Sequence, residues 1–223
     1  MTAGRVTVNG VVVSELGARV DPLLDAVTVD GVEVRIDAGP VYLMLHKPSG
    51  YISTMSDPHA RHTVAELVPT DKYPGLFPVG RLDADTTGLL LFTTDGEFAH
   101  RILHPKQGVF KTYIAHVERI LRDGELQWLR DGVMLDDGMT APAYIERIET
   151  LDDCDPAIDV LSISLSEGRK RQVRRMCETV GHPVRDLKRI AFGAVELGDL
   201  AQGSVRALTS TERDALRRSV ALS

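Results

Sequence analysis

The run Gly80-Arg81-Leu82-Asp83-Ala84-Asp85-Thr86-Thr87-Gly88-Leu89-Leu90-Leu91 sets an arginine and an aspartate two residues apart among glycines and threonines. In extended backbone two such positions share a face, so Arg81 and Asp83 are expected to pair. A neighbouring cation favours the ionised form of a carboxylate. An ionised, oriented aspartate can then act as a nucleophile or a base. The same residues could instead organise a turn, with Asp85, Thr86 and Thr87 sharing that role. Asp83 alone does not decide between the two.

Other residues of chemical interest fall on elements that could present them. Val41-Tyr-Leu-Met-Leu45 reads as a buried strand running into Lys47-Pro48-Ser49-Gly50, a turn with a cation at its rim. Phe110 to Val117 alternates, so Lys111, Tyr113, Ala115 and Val117 share one face of a strand. Residues 170–180 carry Val173, Met176, Cys177 and Val180 at helical spacing, with Gly181 where a helix stops. Arg171, Arg174 and Arg175 lie towards the other side of that helix.

The positioning elements follow from the same rules. Gly88-Leu-Leu-Leu-Phe-Thr93 and Leu161-Ser-Ile-Ser-Leu165 read as strands, and Thr63 to Leu67 as a short helix stopped by Pro69. Thr94-Asp95-Gly96 can cap a helix over Glu97 to Leu103, and Thr209-Ser-Thr-Glu212 has capping-box spacing before a last one. At the start, Val6-Thr-Val-Asn-Gly-Val-Val-Val13 and Val27-Thr-Val-Asp-Gly-Val-Glu-Val34 predict two type I′ hairpins, with turn chemistry at Asp21-Pro22 and Asp25 between them. Asp37-Ala-Gly-Pro40 marks a linker, which divides the chain into residues 1–39 and 40–223. Strands and helices do not alternate regularly, so the class is α+β.

Composition narrows the possibilities. The chain has 223 residues, 43% hydrophobic and 26% charged, the balance of a globular protein. No apolar run approaches the ~20 residues that span a bilayer, no signal-peptide pattern is present, and a cytoplasmic monomer is the default expectation. Cys154 and Cys177 have no metal-type spacing and read as reduced thiols. His59 and His62, with Asp57 nearby, lack further ligands at supporting spacing, so no metal is expected. The net charge of -6 conceals an uneven distribution. Asp123 to Asp159 holds eleven acidic residues and two arginines, whereas Glu167 to Arg189 holds eight Lys/Arg and three acidic residues. The second stretch is a basic stripe of the kind that phosphate binding needs.

Taken together, Gly80-Arg81-Leu82-Asp83, Thr86, Gly88-Leu-Leu-Leu91 and Thr94-Asp95-Gly96 resemble the active-site signature of the RsuA-type ribosomal-RNA pseudouridine synthases. Lys47-Pro48-x-Gly50 upstream, Lys111-Thr-Tyr113, and Glu167-Gly168-Arg169-Lys-Arg-Gln172-Val173-Arg174-Arg175-Met176 complete four ordered motifs, continued by Gly181-His182 and Leu187. The resemblance spans residues 41–210 and implies a mixed, mainly antiparallel sheet with flanking helices. It implies isomerisation of a ribosomal-RNA uridine with no metal or organic cofactor. By the same resemblance Asp83 is the catalytic aspartate, which attacks the nucleotide or abstracts a sugar proton. Arg81 pairs with Asp83 until RNA enters and then fills the gap left by the flipped base; Tyr113 stacks on the uracil. Arg174 pairs with the Asp83 carboxylate, while Lys47, Lys111, Arg169, Arg171 and Arg175 contact RNA.

The wording from Gly88 to Glu97, with Arg101 and His104-Pro105, is closer to the large-subunit, RluB-type branch, although Lys111-Thr-Tyr113 occurs in the small-subunit branch too. Gly4-Arg-Val-Thr-Val-Asn-Gly10 and the Asp30-Gly31 hairpin resemble the β half of an S-four-type RNA-binding domain. Its helical half belongs ahead of Gly4, so the resemblance implies a truncated module. Two rival readings stand beside this one. Asp83-Ala-Asp85-Thr86-Thr87 has the form of a haloacid-dehalogenase-type phosphotransferase loop, but Pro78 and Arg81 interrupt the buried strand that such a loop requires. A non-catalytic RNA-binding assembly factor would be marked by loss of the aspartate or the tyrosine, and both are present.

Overall fold

In a computed structural model of the chain, residues 4–15, 17–18, 20–21, 25–33, 39–59, 61–151, 153 and 157–222 are described. Pro22, Val34, Asp37, Ala38 and Cys154, which entered the sequence reading, lie outside them. The chain divides into two compact units, Met1–Pro40 and Val41–Ser223.

Among the described residues the small unit holds a sheet of four strands, β1 (Val6–Val8), β2 (Val11–Val12), β3 (Val27–Val29) and β4 (Val32–Glu33), in the order β2-β1-β3-β4. Asn9 and Gly10 have φ of 49° and 82°, and Asp30 and Gly31 have φ of 52° and 79°. Both turns therefore place two consecutive residues at positive φ, as type I′ hairpins demand. Asn9 also receives and gives hydrogen bonds across the gap, to Ala26 N and Asp25.

Among the described residues the larger unit is built on one nine-stranded sheet. Its strands are β5 (Tyr42–Lys47), β6 (Phe77–Val79), β7 (Thr87–Thr93) and β8 (Lys111–Glu118). A separate short hairpin of β9 (Met134–Leu135) and β10 (Gly138–Met139) interrupts the sequence of sheet strands. The sheet continues with β11 (Tyr144–Leu151), β12 (Ile158–Leu165), β13 (Val184–Phe192), β14 (Val195–Glu196) and β15 (Val205–Ala207). The main path runs β11-β12-β8-β13-β7-β5-β15, with β6 beside β7 and β14 beside β13. Every pairing is antiparallel except that of β13 with β7.

Among the described residues four α-helices flank the sheet: α1 (Gly96–Leu103), α2 (Asp123–Asp131), α3 (Gln172–Thr179) and α4 (Ser210–Ser219). Asp95 caps α1 by accepting from Phe98 N at 2.9 Å. Thr209 and Glu212 form the reciprocal capping box of α4. Val173, Met176 and Cys177 of α3 are buried with Leu126 and Leu129 of α2 against Ala115, Val117, Leu161 and Ile163 of the sheet. Burial pushes the Cys177 thiol up to about 12, so it is an inert core group. On the other half, Phe98 and Ile102 of α1 and Leu216 of α4 close over Met44, Leu89, Leu91 and Phe192. The two halves of the sheet meet where β13 runs beside β7, and the site lies at this seam.

Candidate active site

The loop that carries Asp83 is held from below by the segment around Lys47. Lys47, the last residue of β5, is fully buried. Its Nζ donates to the carbonyls of Pro48 at 2.9 Å, Ala84 at 3.2 Å and Thr86 at 2.8 Å. Gly50 N donates to the Ala84 carbonyl at 2.8 Å. Ser53 Oγ donates to Leu82 O at 2.8 Å and accepts from Leu82 N at 3.0 Å. The carbonyls of Leu82, Ala84 and Thr86, and Leu82 N, all lie within three residues of Asp83, so the carboxylate sits on a pinned turn. The Thr86 N–H to Asp83 O bond of 3.1 Å closes that turn.

This arrangement corrects two expectations. Lys47 is no rim cation and cannot reach a phosphate. Its strand continues to residue 47 and turns the side chain inward, where three carbonyl oxygens replace its water. Burial lowers its pKa to about 8, partly offset by the negative charge of Asp85 and Asp83. The expected Arg81–Asp83 pair is not formed either. Gly80 at φ 77° ends β6, and Asp83 lies in a turn, so the shared face of extended backbone does not apply. Arg81 is exposed along the cavity, without an ion pair among the described residues.

The cations that face the aspartates come from α3 and the residue before it. Arg171, the N-cap of α3, adopts a left-handed φ of 50°, a conformation that costs a side-chain-bearing residue about 1–3 kcal/mol. It thereby turns its guanidinium onto Asp85, with Nη1 to Oδ1 at 3.0 Å and Nη2 to Oδ2 at 3.1 Å. The same Nη1 lies 3.9 Å from Asp83 Oδ2. Arg174 binds Asp85 too, through its carbonyl at 3.2 Å and its carboxylate at 3.3 Å, while Nη1 is anchored on Val184 O at 2.8 Å. The expected Arg174–Asp83 pair is therefore replaced: Arg174 goes to Asp85, and Arg171 is the cation beside Asp83. Burial works against ionisation of Asp85, but the Arg171 bonds and the charges of Arg174 and Arg171 outweigh it and hold the carboxyl below its ordinary value.

Asp83 opens onto a cavity of about 310 Å³ whose walls include Arg81, Thr86, Tyr113, Leu165, Lys170, Arg171 and Leu187. Tyr113 projects into it from the middle of β8, half-buried, opposite Ile163 on β12 and Arg189 on β13. The hydroxyl of Thr86, shut away from solvent, has no hydrogen-bond partner among the described residues. An oriented carboxylate, a cation within 4 Å and an aromatic ring across an open volume suit nucleophilic or basic attack on a planar heterocycle that stacks on the ring.

The remaining basic residues separate into two groups. Arg169 is engaged by Glu167 at 3.3 Å and Asp137 at 3.2 Å, and Arg175 by Asp137 at 2.9 Å and by Asp136. The acidic stretch thus reaches over through the β9–β10 hairpin and neutralises part of the basic one. Among the described residues Lys170, Arg185 and Lys188 form no ion pairs, and none of the three had been singled out as an RNA contact. Ser53 and Arg189 were missed as well. Only the basic stretch itself pointed towards Arg189, and nothing in the sequence pointed to Ser53.

A family model described as RNA pseudouridylate synthase matches residues 41–179. The ribosomal large subunit pseudouridine synthase B of Bacillus subtilis (strain 168) is 41% identical over 214 residues, which cover 96% of this chain and 86% of that protein. The ribosomal small subunit pseudouridine synthase A of Yersinia pestis is 38% identical over 215 residues, covering 95% and 87%. A crystal structure described as that of a pseudouridylate synthase superposes with a TM-score of 0.72 at 29% identity, covering 96% of this chain and 90% of that one. Its likeness extends to the mixed, mainly antiparallel sheet with flanking helices and the small N-terminal strands. With the motif order from Lys47 to Arg175 and this shared architecture, the chain belongs to the RNA pseudouridylate synthase family, in its RsuA-type branch.

Proposed function

We propose that the protein isomerises one uridine of ribosomal RNA, and that of the large subunit in particular, with Asp83 as the nucleophile or base. One observation carries this reading: Asp83 stands on a turn pinned by Lys47 and Ser53, 3.9 Å from Arg171, at the mouth of a cavity that it shares with Tyr113. The reaction breaks the bond from the sugar carbon C1′ to uracil N1 and forms one from C1′ to C5. The proton on C5 is lost and N1 gains one, so neither oxidant nor energy source enters. The base must leave its stack, at a cost of a few kcal/mol, which contacts to the RNA backbone offset.

In this reading Tyr113 supplies the platform for the flipped uracil, and Arg171, 3.9 Å from Asp83, offsets the carboxylate's repulsion of the negative backbone of the arriving RNA. Arg174 acts one step further out, fixing Asp85 and the loop. Arg81, exposed and without an ion pair among the described residues, is free to fill the gap that the base leaves, and Lys170 and Lys188 add to the backbone contacts. Residues 40–223 form the catalytic domain; residues 1–39 serve as the β half of an S-four-type RNA-binding unit. The preference for the large subunit rests on the Gly88–Glu97 wording and on the Bacillus subtilis relative, and the Yersinia pestis relative makes the small subunit the alternative.

The test uses ribosomal-RNA transcripts of each subunit labelled with tritium at uridine C5. The protein alone, without added cofactor, should release tritium from the large-subunit transcript, and nucleotide-resolution mapping should find pseudouridine at one position. Release from the small-subunit transcript alone would move the assignment to the other subunit. Tight binding of both transcripts without release from either would make the protein an RNA-binding factor instead.

A further inference from the structure

Beside the main cavity lies a second one of about 170 Å³, sharing Arg81, Tyr113, Glu167 and Gly168 with it and otherwise lined by Lys111, Arg189 and Phe192 among others. Tyr113 is the wall between them. Arg189 pairs with Tyr113 across β8 and β13, and Lys111 pairs with Phe192. Arg189 is 3% exposed; its Nε donates to Leu89 O at 2.7 Å, but its Nη2 is buried with no partner among the described residues. Lys111 Nζ and the Arg189 guanidinium lie 5.5 and 5.3 Å from the centre of the same Phe192 ring. Among the described residues neither Lys111, Arg189 nor Arg81 has a carboxylate partner. The acid on the wall, Glu167, is already committed to Ala141 N, Arg169 and Gln172.

Three cations around a small volume, one of them buried with an idle donor, repel one another. The strain is visible in Lys111, whose pKa falls to about 8 through burial and through the Arg189 charge. A cation–π contact with Phe192 compensates only in part. A tetrahedral anion with several acceptor oxygens satisfies what the protein leaves open. We propose that this cavity binds a phosphodiester of the substrate RNA, the one adjoining the uridine stacked on Tyr113. The inference rests on the function proposed above. Because the two cavities share Arg81 and Tyr113, a group seated in the second stands within a nucleotide's reach of the base in the first. Arg189 and Lys111 then act as positioning residues, setting the sugar over Asp83.

The experiment uses the full chain and a ribosomal-RNA fragment whose uridine it isomerises. Each linkage flanking that uridine is replaced in turn by a neutral methylphosphonate. One linkage should cost the parent protein roughly tenfold in affinity. Lys111→Gln should lose a similar factor on the unmodified fragment, become insensitive to that linkage, and lower the slope of log affinity against log salt by about 0.7. Arg189→Gln risks misfolding, so Arg189→Lys, which keeps the charge, is measured beside it and should recover part of the linkage effect. Equal sensitivity to every linkage in parent and Lys111→Gln overturns the proposal. So does inorganic phosphate that binds the parent without RNA while no linkage matters, which would make the cavity a free-anion site. A parent protein that isomerises no fragment counts against the proposed function itself; isomerisation without a sensitive linkage counts only against this subsite.

Discussion

At the scale of single residues, the site depends on side chains that never meet a substrate. Lys47 joins three carbonyls of the Asp83 turn and the segment leading from β5, and it is buried where no phosphate reaches it. Lys47→Met keeps the volume but takes the ammonium donor from those carbonyls, of which Ala84 O still accepts from Gly50 N, at about 1–3 kcal/mol for an unmet buried group. Loss of register in the turn should lower kcat by between about ten- and a hundredfold, as small misplacements of a reacting group do. KM and the salt dependence of RNA binding should stay near the parent values. A steep rise in KM with a flatter salt dependence would instead make Lys47 a phosphate contact. Motif reading found Lys47 and Asp83 but not the geometry between them, because a lysine after a buried strand reads as a rim cation whether it turns in or out. Likewise Arg171, Arg174 and Arg175 look interchangeable on a helical wheel. The left-handed backbone at Arg171 selects the one that faces Asp83, and no local pattern encodes that choice.

Among the elements, the parallel contact of β7 and β13 brings the Asp83 loop to the tyrosine strand and to α3. Gly88 makes it possible: at φ 104°, a Cβ there would stand 2.2 Å from Arg189 O and 2.7 Å from Arg189 N. Gly88→Ala therefore pushes on backbone that cannot yield without parting the strands. The expected loss is about 2–4 kcal/mol of stability, read by denaturant unfolding. Isomerisation should fall with it even in the fraction that remains folded. A variant with parent stability and turnover would show that the seam tolerates separation. β7, β8, β12, α1, α3 and α4 were legible from periodicity and caps. α2, β11 and β13 were not. α2 buries only Leu126 and Leu129 within an acidic stretch, and β11 is an edge strand with a bulge between Arg147 and Glu149. β13 carries Arg185, Asp186, Lys188 and Arg189, which read as a solvated basic stripe rather than as an interior strand. Its burial comes from neighbours distant in sequence, and periodicity cannot register them.

For the molecule as a whole, charge and stability are distributed by pairing rather than by net sign. Asp136 and Asp137 neutralise Arg169 and Arg175, so the basic surface is smaller than the sequence suggests and concentrates around Arg81, Lys111 and Lys170. At the C-terminal end, Glu212 caps α4 and accepts both Arg206 and Thr209. The Arg206 bonds, working against burial, hold its carboxyl down to about 2. A carboxyl whose folded pKa lies below its unfolded one contributes stability that is complete above the unfolded value, ordinarily 4.5, and lost as pH falls towards about 2. Glu212→Gln should lower Tm by about 2–4 °C at neutral pH, for the loss of a cap interaction of about 1 kcal/mol. It should also remove part of the fall in Tm between pH 4.5 and 2. An unchanged acid limb would mean that other carboxylates govern it. Single-turnover tritium release with Asp83→Asn, which preserves the size of the side chain on its pinned turn, reads the role of the carboxylate itself. The variant should fold, bind the ribosomal-RNA transcript and release no tritium above background; release at the parent rate would mean that Asp83 is not the nucleophile or base.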